Sequence, residues 1–236
     1  MALARVLEPE VMDTAEEATD YDAMDHGEVN RVFVADLLTA IARGQRLEGR
    51  SQINGDEVPA SLDVLDLGTG TAQIPIELCK TLASCRVMAA DAAVSMLEVA
   101  RYNVEVNSLN ERIELAHVDA KRLPFEEGMF DVVMSNSIVH HIPEPIHVLR
   151  EAVRVTKPSG LLFFRDLLRP ETENELQHLV KTYSAGANEH QQRMFAESLH
   201  AALSLEEIRG LVESLGVAGE SVQRTTDRHW TWSASK

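Results

Sequence analysis

The chain has 236 residues, 44% of them hydrophobic and 25% charged, the balance of a globular protein with a full-sized core. Its formal net charge of −16 and its scattered lysines and arginines disfavour nucleic acid as a substrate, because such a surface repels phosphates. No run approaches the roughly 20 apolar residues of a membrane span, and the acidic start (Glu8, Glu10, Asp13, Glu16, Glu17) is unlike a targeting peptide, so a cytoplasmic location is expected.

The first 27 residues are acidic, with a helical stretch expected from about Val11. Apolar residues at helical spacing (Val29, Val32, Phe33, Ala35, Leu37, Leu38, Ile41) predict a helix over Glu28–Arg43, and the polar, glycine-bearing run Gly44–Pro59 reads as a connector. Strands then alternate with helices. Leu62–Asp66 is a buried strand followed by a glycine turn and a helix over Thr71–Ala83. Arg86–Ala90 is a strand ending at Asp91, and a helix follows through Asn107. Arg112–Val118 ends at Asp119; Phe130–Ser135 precedes a helix over Pro145–Val155; Lys157–Gly160 is a turn before the strand Leu161–Phe164. This alternation predicts a parallel sheet covered on both faces.

Thr172 with Glu175 and Ser204 with Glu207 have capping-box spacing and should start helices, with a helical insertion between them. Ser221–Thr226 and His229–Ser233 read as a terminal hairpin that adds an antiparallel strand. One domain is expected. A cap and connector occupy 1–58, the core 59–168, a substrate-covering insertion 169–203, and a final helix with the hairpin 204–236.

In open parallel sheets ligands lie beyond the carboxyl ends of the strands, and Asp66, Asp91, Asp119 and Ser135-Asn136 fall at four such ends. The turn Gly68-Thr69-Gly70-Thr71 lets backbone approach a ligand closely. Position 73 is Gln73, where a dinucleotide loop needs a third glycine, and no P-loop lysine follows. What remains is a turn suited to a ligand with an amino group and no phosphate. Asp91 is placed to accept from ribose hydroxyls and equally to cap a helix. Asp119 can accept from an adenine amino group, with the Ala120 amide donating to the ring and Ala92 and Met96 sandwiching it. Cys79 and Cys85 have neither zinc-site nor redox-motif spacing and read as buried small hydrophobes, so no metal is expected.

Val64–Thr71, Asp91, His117–Ala120, Leu123-Pro124-Phe125, Phe130–Val133 and Lys157–Gly160 resemble, in order and spacing, the class I S-adenosylmethionine-dependent methyltransferases. The resemblance covers about residues 60–168 and implies a doubly wound Rossmann-like α/β sheet of seven strands, the last antiparallel. It implies that Asp66, Gly68 and Gly70 hold the methionine part of S-adenosylmethionine, Asp91 its ribose and Asp119 its adenine, with Asn136 near the sulfonium. Ser135–Pro143 is similar to the same stretch in small-molecule methyltransferases and lacks the pattern of those acting on nucleic-acid bases. A small organic acceptor is therefore expected, the alternative being a non-catalytic cofactor-binding protein.

His140 and His141 are candidates for a base or for substrate contact, against a packing role for one and a solvated one for the other. Arg165 and Asp166 end the fifth strand on the same rim, where Arg165 either meets a charged substrate or pairs internally. Tyr21 and Met24 are lid or packing residues. Tyr183, in the insertion, is a candidate cover residue. Trp230 and Trp232 alternate on one face of a strand and are expected to pack under the insertion.

Overall fold

The computed structural model describes residues 3–11, 13–24, 26–47 and 61–236. Seven strands, β1 Leu62–Leu67, β2 Cys85–Asp91, β3 Ile113–His117, β4 Phe130–Asn136, β5 Thr156–Leu167, β6 Val222–Arg224 and β7 His229–Ser235, form one sheet in the order β3-β2-β1-β4-β5-β7-β6. The first five are mutually parallel, and β7 enters antiparallel to both β5 and β6. The expected hairpin thus supplies the reversed strand. β1 lies inside the sheet between β2 and β4, with its last four residues buried.

Eight α-helices accompany the sheet among the described residues: α1 Ala15–Asp22, α2 Gly27–Leu47, α3 Gln73–Thr81, α4 Val94–Val106, α5 Ile146–Val155, α6 Glu173–Tyr183, α7 Glu189–Ala201 and α8 Leu205–Ser214. Phe33, Val34 and Leu37 of α2 pack with Leu78 of α3 and Ala100 and Val104 of α4 on one face, over Val64, Val87, Val132 and Phe163. On the other face Val148, Leu149 and Ala152 of α5 and Ile208 and Val212 of α8 cover Leu65, Val133, Leu162 and Phe164. Strand alternation sends neighbouring residues of each strand to these two cores.

Several boundaries differ from expectation for local reasons. The first helix starts at Ala15, because Thr14 and Glu17 form a capping box. α2 runs on through Gly44 to Leu47; one helical glycine costs about 1 kcal/mol, too little to end a helix whose apolar stripe is buried. The rest of the expected connector, with the boundary at 58/59, lies outside the described residues. Lys157–Gly160 is absorbed into β5 as an irregularity, the register passing from Phe130 opposite Thr156 to Val132 opposite Leu161. A Cβ at Gly160 would sit 2.9 Å from the Lys157 carbonyl and 3.0 Å from that of Asp131, so the crowded bend requires glycine.

The box at Ser204 and Glu207 forms as expected, and Thr172 caps α6 through the Glu175 amide. A further box at Asn188 and Gln191, passed over in the sequence, starts α7. Trp230 and Trp232 do share a face, but they lie in the α5–α8 core and not under the insertion, whose own core is built from Leu176, Leu179 and Leu199. The cause is the pairing of β7 with β5, which sets Trp232 opposite Phe164 with ring centroids 5.4 Å apart. Trp232→Ala should lower unfolding free energy by about 3–5 kcal/mol in urea titration; a loss below about 1 kcal/mol would show that the indole is not part of this core.

Candidate functional site

Strand order reverses between β1 and β4, and a cavity of about 410 Å3 opens beyond their carboxyl ends. The loop after β1 shapes its floor. Gly68 and Gly70 adopt φ of 70° and 55°, and Ala72 follows at 61°. A Cβ on Gly68 would stand 1.9 Å from Ile138 Cγ2, so this glycine is required both by its backbone and by the wall from β4 that closes on it. The Gly70 amide donates to Asp91 Oδ2 at 2.8 Å, and the Ala93 amide to Asp91 Oδ1 at 2.8 Å. Asp91 therefore ties the glycine loop to the turn that leads into α4, whose N-cap residue is Ala93. Burial pushes its carboxyl up, against the two amides.

Of the residues singled out in the sequence, Tyr21, Gly68, Gly70, Asp91, Ala92, Met96, Asp119, Ala120, Asn136 and His141 line this cavity. Asp66 lies beneath the loop, 2% exposed, with Oδ1 lacking a hydrogen-bond partner. Burial pushes its carboxyl up to about 7, the charge of Asp91 adding and the Thr69 hydroxyl opposing. Thr69 and Thr71 are buried and stay out of the lining. Asp119 is half exposed at the far end, 3.1 Å from Lys121, which also pairs with Glu10.

The N-terminal segment closes the remaining side, a role assigned in the sequence to Tyr21 and Met24. Glu10, Val11 and Tyr21 line the cavity, while Met24 does not. Asp22 accepts from Gln73 Nε2 at 3.0 Å and from Asn103 Nδ2 at 2.9 Å, and Asp13 accepts from the Ser95 amide at 2.9 Å. Gln73, the residue that breaks the dinucleotide pattern, thus anchors α1. Burial raises the Tyr21 phenol to about 12, with Asp66, Asp91 and Asp22 adding.

At the mouth, Val139–His141 forms a short 3-10 helix after β4. His140 is buried behind the cavity wall, its Nδ1 2.5 Å from Asp166 Oδ1, and its ring centroid lies 4.1 Å from that of His141. Asp166 also accepts from the amides of Val139 at 2.5 Å and Leu167 at 2.6 Å. Although burial acts to raise it, the positive potential of His140 and these hydrogen bonds hold the Asp166 carboxyl below its ordinary range. Glu8 Oε1 lies 3.0 Å from His141 Nδ1 and 3.4 Å from His140 Nε2. Glu8 carries no local sequence signal, since its partners lie far along the chain.

Two expected substrate contacts fall elsewhere. Arg165 is 7% exposed, paired with Asp36 at 2.7 Å and bonded to Thr231 at 2.9 Å, because its side chain faces α2. Tyr183 is 43% exposed, donates to Asp227 at 2.6 Å and stacks on Arg228. Neither lines the cavity. The insertion borders the mouth from outside, with Ser198 donating to Glu8 at 3.2 Å.

Residues 65–164 match the model of a methyltransferase domain family. The chain is 28% identical over 178 residues to a 27-O-demethylrifamycin SV methyltransferase of Amycolatopsis mediterranei, covering 73% of this chain and 61% of that one. It is 33% identical over 115 residues to a demethylmenaquinone methyltransferase of Bacillus cereus, covering 48% of each. A SAM-dependent methyltransferase from Aquifex aeolicus shares the fold, with TM-score 0.62 at 18% identity, over 95% of this chain and 99% of the other. Residues 65–164 thus resemble a methyltransferase domain, the chain shares the fold of a SAM-dependent methyltransferase, and it spans 61% and 48% of the lengths of the two curated relatives.

The residues present suit that cofactor. The orphaned carboxylate oxygen of Asp66 asks for a cationic donor such as a methionine ammonium, and the cradle at Gly68 and Gly70 leaves room that a side chain would fill. The sign of the Asp66 shift has two consequences. A carboxyl raised from about 4 in the unfolded chain stabilises the fold fully below that pH, and its contribution is lost as pH rises through 7. Pairing with an ammonium restores the ionised form, so binding of demethylated cofactor should release protons near neutral pH. Calorimetry in buffers of different ionisation enthalpy reads this directly. Asp66→Asn should abolish the release, weaken binding at least tenfold and raise Tm at pH 8. Buffer-independent heats in the native protein would remove Asp66 from the ammonium site.

Proposed function

We propose that this protein transfers a methyl group from S-adenosylmethionine to a hydroxyl of a small organic acceptor. The observation carrying this reading is the buried Asp166–His140 pair beside His141 at the mouth of the cofactor cavity. The cofactor, when bound, supplies a methyl group activated by its sulfonium. The two relatives are named for a demethylrifamycin and a demethylmenaquinone, both small molecules, the first modified at oxygen. With no described helix long and apolar enough to cross a membrane, and with a strongly acidic chain, the protein is read as cytoplasmic.

A neutral hydroxyl is a weak nucleophile, and a base near pH 7 makes it competent by taking its proton. Asp166, charged and held by three backbone amides, accepts from Nδ1 of His140 and so fixes that ring's orientation. His141 forms part of the cavity wall, against the His140 ring. Burial lowers its affinity for a proton, but the hydrogen bond and charge of Glu8, with Asp166 behind, raise it above the ordinary imidazole value. His141 is thus the base that meets the acceptor, and His140 with Asp166 positions it. Ile138, Ile142 and Val11 line the same mouth and offer apolar contact to an organic acceptor while keeping water out.

His141→Ala should lower kcat at least a hundredfold with cofactor affinity within threefold of native. Asp166→Asn should lower kcat by a smaller factor and leave KM nearly unchanged, since it loosens the His140 ring and removes a charge that helps raise His141. The measurement is steady-state turnover on a panel of phenolic and alcoholic acceptors, beside calorimetric cofactor affinity. Native turnover in His141→Ala would sink the base assignment. Turnover confined to amine or thiol acceptors would move the reading away from hydroxyl chemistry.

A further inference from the structure

Glu8, His140 and His141 converge from two distant stretches of chain, and their ligating atoms all lie within 4.8 Å of one another. We infer that these three side chains form a site for a divalent transition-metal ion of the zinc class, which clasps the N-terminal segment to the mouth of the cavity. Zinc bonds imidazole nitrogen at about 2.0–2.1 Å and carboxylate oxygen at about 2.0–2.2 Å, so neighbouring ligand atoms in a tetrahedral site stand about 3.3 Å apart. Glu8 Oε1 stands 3.0 Å from His141 Nδ1 and 3.4 Å from His140 Nε2, two of the three edges such a site needs, and the imidazole–imidazole edge lies within 4.8 Å.

Two further observations point to a ligand there. Glu8 Oε1 and His141 Nδ1 are buried and face each other at 3.0 Å, and the same oxygen lies 3.4 Å from His140 Nε2, so one carboxylate oxygen is shared between two imidazoles. A buried carboxylate is costly unless its charge is paired, and a cation held jointly with the two imidazoles would pair it. Behind them Asp166 Oδ1 lies 2.5 Å from Nδ1 of His140, which leaves Nε2 facing Glu8. A carboxylate holding the far nitrogen of a histidine is the arrangement that orients metal-ligating imidazoles. Two imidazoles and one carboxylate favour zinc, cobalt or nickel over magnesium or calcium, which prefer all-oxygen sites.

The segment carrying Glu8 is already fastened on both sides. Arg5 donates to the carbonyls of His140 at 3.1 Å, Ile142 at 2.9 Å and Ala201 at 2.7 Å, and Ser198 donates to Glu8. A metal ion would complete this fastening between Glu8 and the two imidazoles. It would also draw electron density from His141 and weaken it as a base. That last consequence rests on the reading of His141 given above, whereas binding of the ion does not.

The test uses untagged protein stripped with a chelator, titrated with Zn2+ by calorimetry and with Co2+ by visible absorption. One Zn2+ per chain is expected, with the intense visible bands of four-coordinate Co2+, an upward shift in Tm, and no comparable binding of Mg2+. Glu8→Gln, which keeps the side chain's shape, and His141→Asn should each weaken Zn2+ at least tenfold while retaining native cofactor affinity as evidence of folding. Absence of saturable Zn2+ binding, or equal affinity in both variants, overturns the site. Inhibition of turnover is a separate reading. Stoichiometric binding without inhibition keeps the metal site and removes His141 from proton transfer.

Discussion

The carboxylate of Asp91 accepts hydrogen bonds from two backbone amides that belong to different crossovers, Gly70 after β1 and Ala93 before α4. Through these bonds one side chain fixes the path of the glycine loop and the start of the next helix. The rest of the cavity follows from that tie. The loop can lie flat because Gly68 has no Cβ to meet Ile138, and Ile138 stands there because β4 is the neighbour of β1 across the reversal in strand order. The Gly68 and Thr69 amides, both donating to the Ala90 carbonyl, hold the same loop from the strand side.

Charge is arranged around this tie with unequal consequences. Asp66 and Asp166 are both almost fully buried, yet burial raises one carboxyl to about 7 while the other is held below its ordinary range. The difference is the partner. Asp166 has His140 and three amides, whereas Asp66 Oδ1 has none. A buried acid without a partner destabilises its charged form, and a protein tolerates it where a ligand supplies the missing cation. The contrast separates a carboxylate that serves the fold and its histidine from one waiting for a ligand, though each ends a strand of the same sheet.

Most of the sheet and the donor side of the site could be read from local pattern. Asp66, Asp91 and Asn136 sit at strand ends that period-two apolar runs and glycine turns mark within a few residues. Asp119 follows its strand by two residues, and its partners Lys121 and Glu10 could not be foreseen, because one lies on the loop and the other on a segment joined only by folding. Arg165 looked like a rim residue because it ends the same strand as Asp166. The pleat sends these neighbours to opposite faces, so Asp166 reaches His140 while Arg165 turns to Asp36 on α2. Such a one-residue alternation is visible in sequence only once the face of the strand is known. The tryptophans show the converse, a shared face read correctly and the core beneath it misplaced, because that core depends on which strand β7 joins.

The acceptor side is assembled at longer range, and this shapes what can be selected there. Glu8 and Arg5 bring the N-terminal segment to carbonyls and imidazoles more than a hundred residues away, and the contacts are polar and few. Helices α6 and α7 touch this segment from outside and build their own small apolar core. A change in the insertion therefore reaches the mouth by shifting the segment that carries Glu8, Glu10 and Val11, and leaves the loop held by Asp91 undisturbed. The cavity floor is thus set by a sheet edge and its mouth by a strap held through a few hydrogen bonds, the division expected when specificity is carried by segments laid over a fixed scaffold.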